Sequence, residues 1–229
     1  MATPFRATNG ITNVPSSNFM GQALSLDPTL THTYFNDFDV YAAGDWTVTE
    51  TQAAATEALT DADDGALLIT NSAADNDTVN MQLVGESFTF ETGKKVWFKA
   101  RLTLSDATQT DCLMGFSVLD TSLIASVPTN GVYFRKDDGD TQWDFTVRAS
   151  SAMVSDNSNI GTATTNAVVL GCYFDGVNKF EYWFDNTLIG TVETTGFPTT
   201  ELSVSMALQN GEAVAKTLTV DYIMAIKER

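Results

Sequence analysis

The stretch Gly171–Val192, GCYFDGVNKFEYWFDNTLIGTV, narrows the possible folds more than any other part of the chain. Tyr173 and Phe174 close a short apolar run, and Asp175-Gly176 supplies a turn where positive φ is needed. Lys179–Asp185 then sets Phe180, Tyr182 and Phe184 on one face, with Glu181, Trp183 and Asp185 on the other. A period of two belongs to a half-buried strand. Asp185-Asn186 turns the chain again into Thr187–Val192. Three antiparallel strands joined by tight turns leave one apolar face that a second sheet must cover.

The rest of the chain supplies that sheet. Strands are predicted at Tyr34–Tyr41, Trp46–Glu50, Ala66–Thr70 and Thr78–Val84. Val96–Leu104 is the longest alternation: Val96, Phe98, Ala100, Leu102 and Leu104 face one way, Trp97, Lys99, Arg101 and Thr103 the other. Leu113–Leu119, Val132–Lys136, Gln142–Ala149 and Leu202–Leu208 follow. The last, Thr217–Ile226, is expected to put Leu218, Val220, Tyr222, Met224 and Ile226 on one side and to run centrally in its sheet. With no long amphipathic helix, about thirteen strands imply an all-β, two-sheet antiparallel jelly-roll sandwich. Its expected core includes Phe98, Phe116, Phe184, Met206 and Val220.

Residues 1–33 differ from this pattern. They hold three of the five prolines and only Arg6 and Asp27 as charges, yet many apolar side chains. Solvated disorder is charged and apolar-poor, so this is read as an extended N-terminal arm that wants a surface, ahead of a domain at 34–229. The surface is either its own domain or a neighbouring subunit. Phe5, Ile11, Val14, Phe19, Met20 and Leu24 are the expected partner-binding residues, and 33 extended residues span roughly 110 Å.

Charge bounds the partners. Twelve Lys and Arg against 29 Asp and Glu give a net charge of −17, which repels phosphate backbones and argues against nucleic acid. No run reaches transmembrane length, and no apolar signal region opens the chain. Cys112 and Cys172 each alternate with apolar residues and are expected to be buried free thiols in a reducing cytoplasm.

Several residues carry the resemblance to a family: FNDFD at Phe35–Asp39 before Trp46, the meander above, and VDYIMAIK at Val220–Lys227. Together they resemble concanavalin A-like lectin and glucanase jelly rolls. Within that superfamily, Ala58–Gln82, Gly93–Ala107 and Asn130–Asp140 are similar to tailed-bacteriophage virion proteins. The resemblance covers roughly residues 34–229 and implies a structural protein on the virion exterior. It would decorate or cement the capsid lattice, with the major capsid protein and copies of itself as partners, as a trimer over a dimer.

Glucanases of this fold carry two Glu flanking an Asp on one strand, and no such run occurs here. Retaining hydrolysis needs two carboxylates about 5 Å apart; Glu181 and Asp185 share a face without the third acid. The one histidine, His32, falls in the arm, so no Ser-His-Asp or Cys-His unit is available to the domain. The expectation is therefore no enzymatic activity and no cofactor. A weaker alternative is Ca²⁺ at Asp61, Asp63 and Asp64, at Asp75 and Asp77, or at Asp137, Asp138 and Asp140, although such runs are also ordinary turn chemistry. The alternative function is carbohydrate binding, by a module or lectin on a virion or fibre. There Trp97 and Trp183 would offer exposed rings to a sugar, with Arg101 beside Trp97.

Overall fold

The structure, a computed structural model, describes residues 29–52, 54–62 and 65–229. Among the described residues, fifteen strands form two antiparallel sheets. The eight-stranded sheet contains β1 (Thr31–Asn36), β3 (Thr56–Leu59), β4 (Leu67–Thr70), β6 (Val96–Leu104), β11 (Val168–Phe174), β12 (Lys179–Phe184), β13 (Thr187–Glu193) and β15 (Thr217–Glu228). Its order is β13-β12-β11-β6-β15-β4-β3, with β1 also on β15. The seven-stranded sheet contains β2 (Trp46–Glu50), β5 (Thr78–Leu83), β7 (Thr110–Ser117), β8 (Gly131–Lys136), β9 (Gln142–Ala149), β10 (Ala152–Thr162) and β14 (Ser203–Asn210), ordered β10-β9-β8-β7-β14-β5-β2.

The meander behaves as its periodicity requires. Asp175 Oδ1 accepts hydrogen bonds from the amides of Val177, Asn178 and Lys179, closing the β11–β12 turn, and Gly176 takes φ +79°. Asp185 and Asn186 both adopt positive φ between β12 and β13, the geometry of a two-residue hairpin. Phe174 and Phe180 point inward and meet Phe90, whose ring contacts Phe116 of the other sheet. Phe98, Phe116, Met206 and Val220 are fully buried between the sheets. Phe184 sits at the core's margin, only half-buried, with its ring over Gly161 of β10. Cys112 and Cys172 are free, buried and on opposite sheets.

Two strands had no clear sequence signal. β10 reads AMVSDNSNIGT and borders β9 with two register shifts; β3 is a short TEAL on the other sheet's edge. An edge strand leaves one hydrogen-bonding edge open to solvent, so polar residues are tolerated there. β1 also begins at Thr31, taking His32 into the sheet, where its ring lies 5.0 Å from Phe88. Burial, with Arg229 and Lys227 nearby, lowers its pKa.

β15 departs from simple alternation. Its register against β6 shifts between Val220 and Tyr222, leaving Asp221 as a bulge. Leu218 and Val220 point into the core, and beyond the bulge Ile223 and Ala225 do so. Tyr222, Met224 and Ile226, expected on the same side as Leu218, are therefore on the outer face, opposite Arg101, Lys99 and Trp97. One extra residue in a strand reverses every later side chain.

Candidate functional site

The bulge lies where β15 changes partner. Thr217–Val220 pair with β4 on one side, and Ile223–Glu228 pair with β1. Just beyond β1, Phe38 is fully buried in the main core at φ 56°, with its amide bound to Asn36 Oδ1 at 2.8 Å. A non-glycine residue at positive φ is held there by its surroundings. Gly65 packs against this turn so closely that a Cβ would lie 2.7 Å from Asp39 N and Phe38 C and 2.8 Å from Asp37 O. Anchored in this way, the turn presents Asp37 and Asp39 on either side of Phe38.

These elements wall a depression of about 420 Å³ on the outer face of the eight-stranded sheet, lined by Asp37, Asp39, Arg101, Asp221 and Tyr222. Arg101 is ion-paired with Asp221 at its centre. The same pair borders a second hollow of about 210 Å³ reaching Ala62, Gly65, Thr103 and Thr219. Burial, reinforced by Asp221 and opposed by Arg101, raises the pKa of the half-buried Tyr222, so its hydroxyl stays protonated and can donate. The basin thus offers a guanidinium, three carboxylates and an aromatic ring. That set matches a polyhydroxylated ligand, whose hydroxyls bond to charged planar groups while its C–H face packs on a ring. Bulges are over-represented beside such sites.

Of the residues expected from sequence, Arg101 is in this basin. Trp97 and Trp183 are not, and they are not the exposed rings that stacking requires: each is 7% exposed. They pack with Ile226, Tyr173 and Met224, and the Trp97 and Tyr173 rings are 5.4 Å apart. Neither ring therefore offers the open face that stacking on a sugar needs. Asp37, Asp39, Asp221 and Tyr222 escaped sequence reasoning. The available signal was that both phases of the Val220–Ile226 segment are apolar, which a regular strand with one face in solvent does not show. Phe5, Ile11, Val14, Phe19, Met20 and Leu24 lie outside the described residues.

The outer face of the seven-stranded sheet is partly filled. Residues 118–130 fold across it, placing Leu123 and Ile124 against Leu113, Tyr133 and Ala207. Asn80 accepts from the Leu123 amide at 3.1 Å, and Gln82 Oε1 accepts from the Asp120 amide at 2.8 Å. Gln82 Nε2 donates to Ser205 Oγ at 2.8 Å and Ser117 Oγ at 3.0 Å. Beyond the loop, burial and then the nearby Asp156 raise the pKa of Asp144, while a hydrogen bond from the Asn159 amide opposes them.

Three of the acids read as calcium candidates have local partners. Asp77 accepts from Thr51 Oγ1 at 2.9 Å and the Ser72 amide at 2.7 Å; Asp137 pairs with Arg135; Asp140 accepts from the Gln142 amide at 2.9 Å. Asp63 and Asp64 lie outside the described residues, and among those described no cluster of three or more His, Cys, Asp or Glu is placed to hold a metal. Glu181 pairs with Lys179 at 2.8 Å, and Asp185 accepts from the Val169 amide at 2.8 Å.

No family model matches the sequence, and no curated protein does. Solved structures do match its fold. The carbohydrate recognition domain of Emp47p superposes with a TM-score of 0.61 at 13% identity, covering 89% of this chain and 99% of that one. A Bacillus licheniformis β-glucanase gives 0.63 at 12% identity, with 84% and 97% covered. An endo-1,3-β-glucanase from Streptomyces sioyaensis gives 0.62 at 12%, with 89% and 98% covered. The fold is a concanavalin A-like jelly roll of the kind found in lectins and glucanases. These neighbours correct one expectation: a fold shared with glucanases is one that carries catalysis, so the sequence-based exclusion of an enzyme does not stand.

Proposed function

We propose that the chain is a lectin-like carbohydrate-binding domain whose ligand seat is the Arg101–Asp221 basin. The observation that carries this reading is the bulge at Asp221, which brings Arg101, Asp221 and the Tyr222 ring together under the Asp37–Asp39 turn. The likeness of fold to a carbohydrate recognition domain and to glucanases supports a saccharide as the ligand class. Arg101 fixes the ligand through its planar donor fork, the carboxylates accept its hydroxyls, and Tyr222 packs against its apolar face. The test is a glycan array probed with the intact chain and with Arg101→Ala and Tyr222→Ala, with release of reducing ends followed on any bound glycan. Binding that both variants abolish supports the seat; binding that survives both moves it elsewhere, and no binding to any glycan overturns the reading.

A second reading is favoured by the sequence likeness of Ala58–Gln82, Gly93–Ala107 and Asn130–Asp140 to phage virion proteins. In it the domain decorates or cements a capsid exterior, bound to the major capsid protein and to copies of itself, as a trimer. The strongly acidic surface keeps such copies soluble before assembly. Bridging lattice subunits would stabilise the assembled state by adding interface there and none to free subunits. Co-sedimentation with capsid particles, absent from particles of unrelated lattice, tests it; a chain that stays in the supernatant refutes it.

A further inference from the structure

An apolar strip crosses the outer face of the eight-stranded sheet. Its cross-strand pairs can be followed from edge to edge: Phe35 lies opposite Met224, Ile226 opposite Trp97, Trp97 opposite Tyr173, and Trp183 opposite Leu188. Trp183 also faces Gly171, which has no side chain to hold the indole away from the sheet. The ends of the strip are open, with Phe35 56% and Leu188 44% exposed. Its middle is not: Ile226 is 0% exposed and both tryptophans are 7% exposed. Side chains on the outer face of a sheet keep solvent contact above them unless a further layer is present. Every described strand belongs to one of the two sheets, so none forms that layer.

We propose that residues 1–28 of the same chain dock across this strip and supply the missing layer. The chain enters the described structure at Thr29, at the head of β1, where Thr31 pairs with Glu228 and Thr33 with Ile226. The preceding segment is thus tethered at the covered part of the face. From β1 to β13 the strip spans five strand spacings, roughly 24 Å; 28 extended residues reach roughly 90 Å. Composition fits the surface: Phe5, Ile11, Val14, Phe19, Met20, Leu24 and Leu26, with Arg6 and Asp27 the only charges. A segment with that composition gains by burial what a charged tail would lose. The strip is covered within a single chain, which assigns the arm to its own domain and not to a neighbour.

Hydroxyl-radical footprinting read by mass spectrometry tests this on the intact chain and on a chain lacking residues 2–28. Oxidation of Trp97 and Trp183 is expected to be slow in the intact chain at every protein concentration and to rise several-fold on deletion. The buried Met81, Met114 and Met206 report whether the sandwich is folded. Should their oxidation show that the deletion does not fold, the full-length double variant Phe19→Asp, Leu24→Asp carries the same comparison. Unchanged protection after the segment is removed or charged overturns the proposal. Protection that appears only as concentration rises also overturns it, because the arm would then be covering a second copy.

Discussion

Replacing Gly65 with alanine separates two costs that the structure combines at the proposed seat. Gly65 sits at φ +78°, and an alanine there pays about 1–2 kcal/mol for the left-handed conformation. Its methyl would also fall 2.7–2.8 Å from three backbone atoms of the Asp37–Asp39 turn, none of them a flexible side-chain end. Relief requires the turn to move by several tenths of an ångström, carrying the fully buried Phe38 ring with it. Overpacking of that kind typically costs about 1–3 kcal/mol. The expected loss is therefore about 2–5 kcal/mol, which a domain of ordinary stability survives. Gly85 is the internal control: φ is +92°, and no atom lies within 4 Å of the added methyl. Gly85→Ala should cost only the conformational part, about 1–2 kcal/mol, and the shared change in unfolded-state entropy cancels between the two. Urea unfolding followed by tryptophan fluorescence measures both. If Gly65→Ala costs no more than Gly85→Ala, the turn is not held by close packing. If Gly65→Ala is the more costly, its glycan affinity should fall as well, while Gly85→Ala binds normally.

Three further outcomes are expected. Asp106, held by Lys216 and the Gln109 and Thr108 amides, has its pKa lowered to about 2; a depressed carboxylate adds stability above its unfolded value of 3.8 that is lost as pH falls through 2. Burial alone would lower the Lys216 ammonium, but its bonds to Asp106 (2.7 Å) and Glu212 (2.6 Å) prevail and raise it. Lys216→Met should cost about 1–3 kcal/mol near neutral pH, the lower part of that range because Asp106 keeps solvent contact, and should flatten the acid decline; equal urea midpoints against pH in both chains would contradict this. Burial pushes both Cys112 and Cys172 thiols up, so thiol reagents should label neither until denaturant opens the sandwich; rapid labelling of the native chain would refute their placement.

The two-sheet sandwich was legible because alternation is local: Val96–Leu104 declares its inner and outer faces without reference to any partner. The candidate seat was not, because it depends on registers set by residues far apart in the chain. Within Thr217–Glu228 the apolar Ile223 and Ala225, out of phase with Val220, hint at an irregularity but do not place it; the shift at Asp221 shows only in the pairing to β6, β4 and β1. That single bulge moved Tyr222 to Arg101 and turned the expected exposed Trp97 into part of a packed cluster. Phe38 was predicted within a regular strand and instead lies beyond the end of β1, fully buried at positive φ. Lys136 is a similar case: it occupies a core-phase position of β8, and its ammonium donates to the carbonyls of Thr108 at 2.8 Å and Thr110 at 2.6 Å. Burial lowers its pKa. The partners that make a buried lysine tolerable are carbonyls at the start of β7 and in the loop before it, which no sequence pattern marks.

The most direct test of the basin is backbone amide NMR of the intact chain titrated with a glycan selected on the array. The largest shifts are expected on Asp37–Asp39, Arg101 and Thr219–Tyr222, with Asn80, Gln82 and residues 118–124 unmoved. Shifts concentrated on the outer face of the seven-stranded sheet, with the Arg101–Asp221 basin silent, would contradict it.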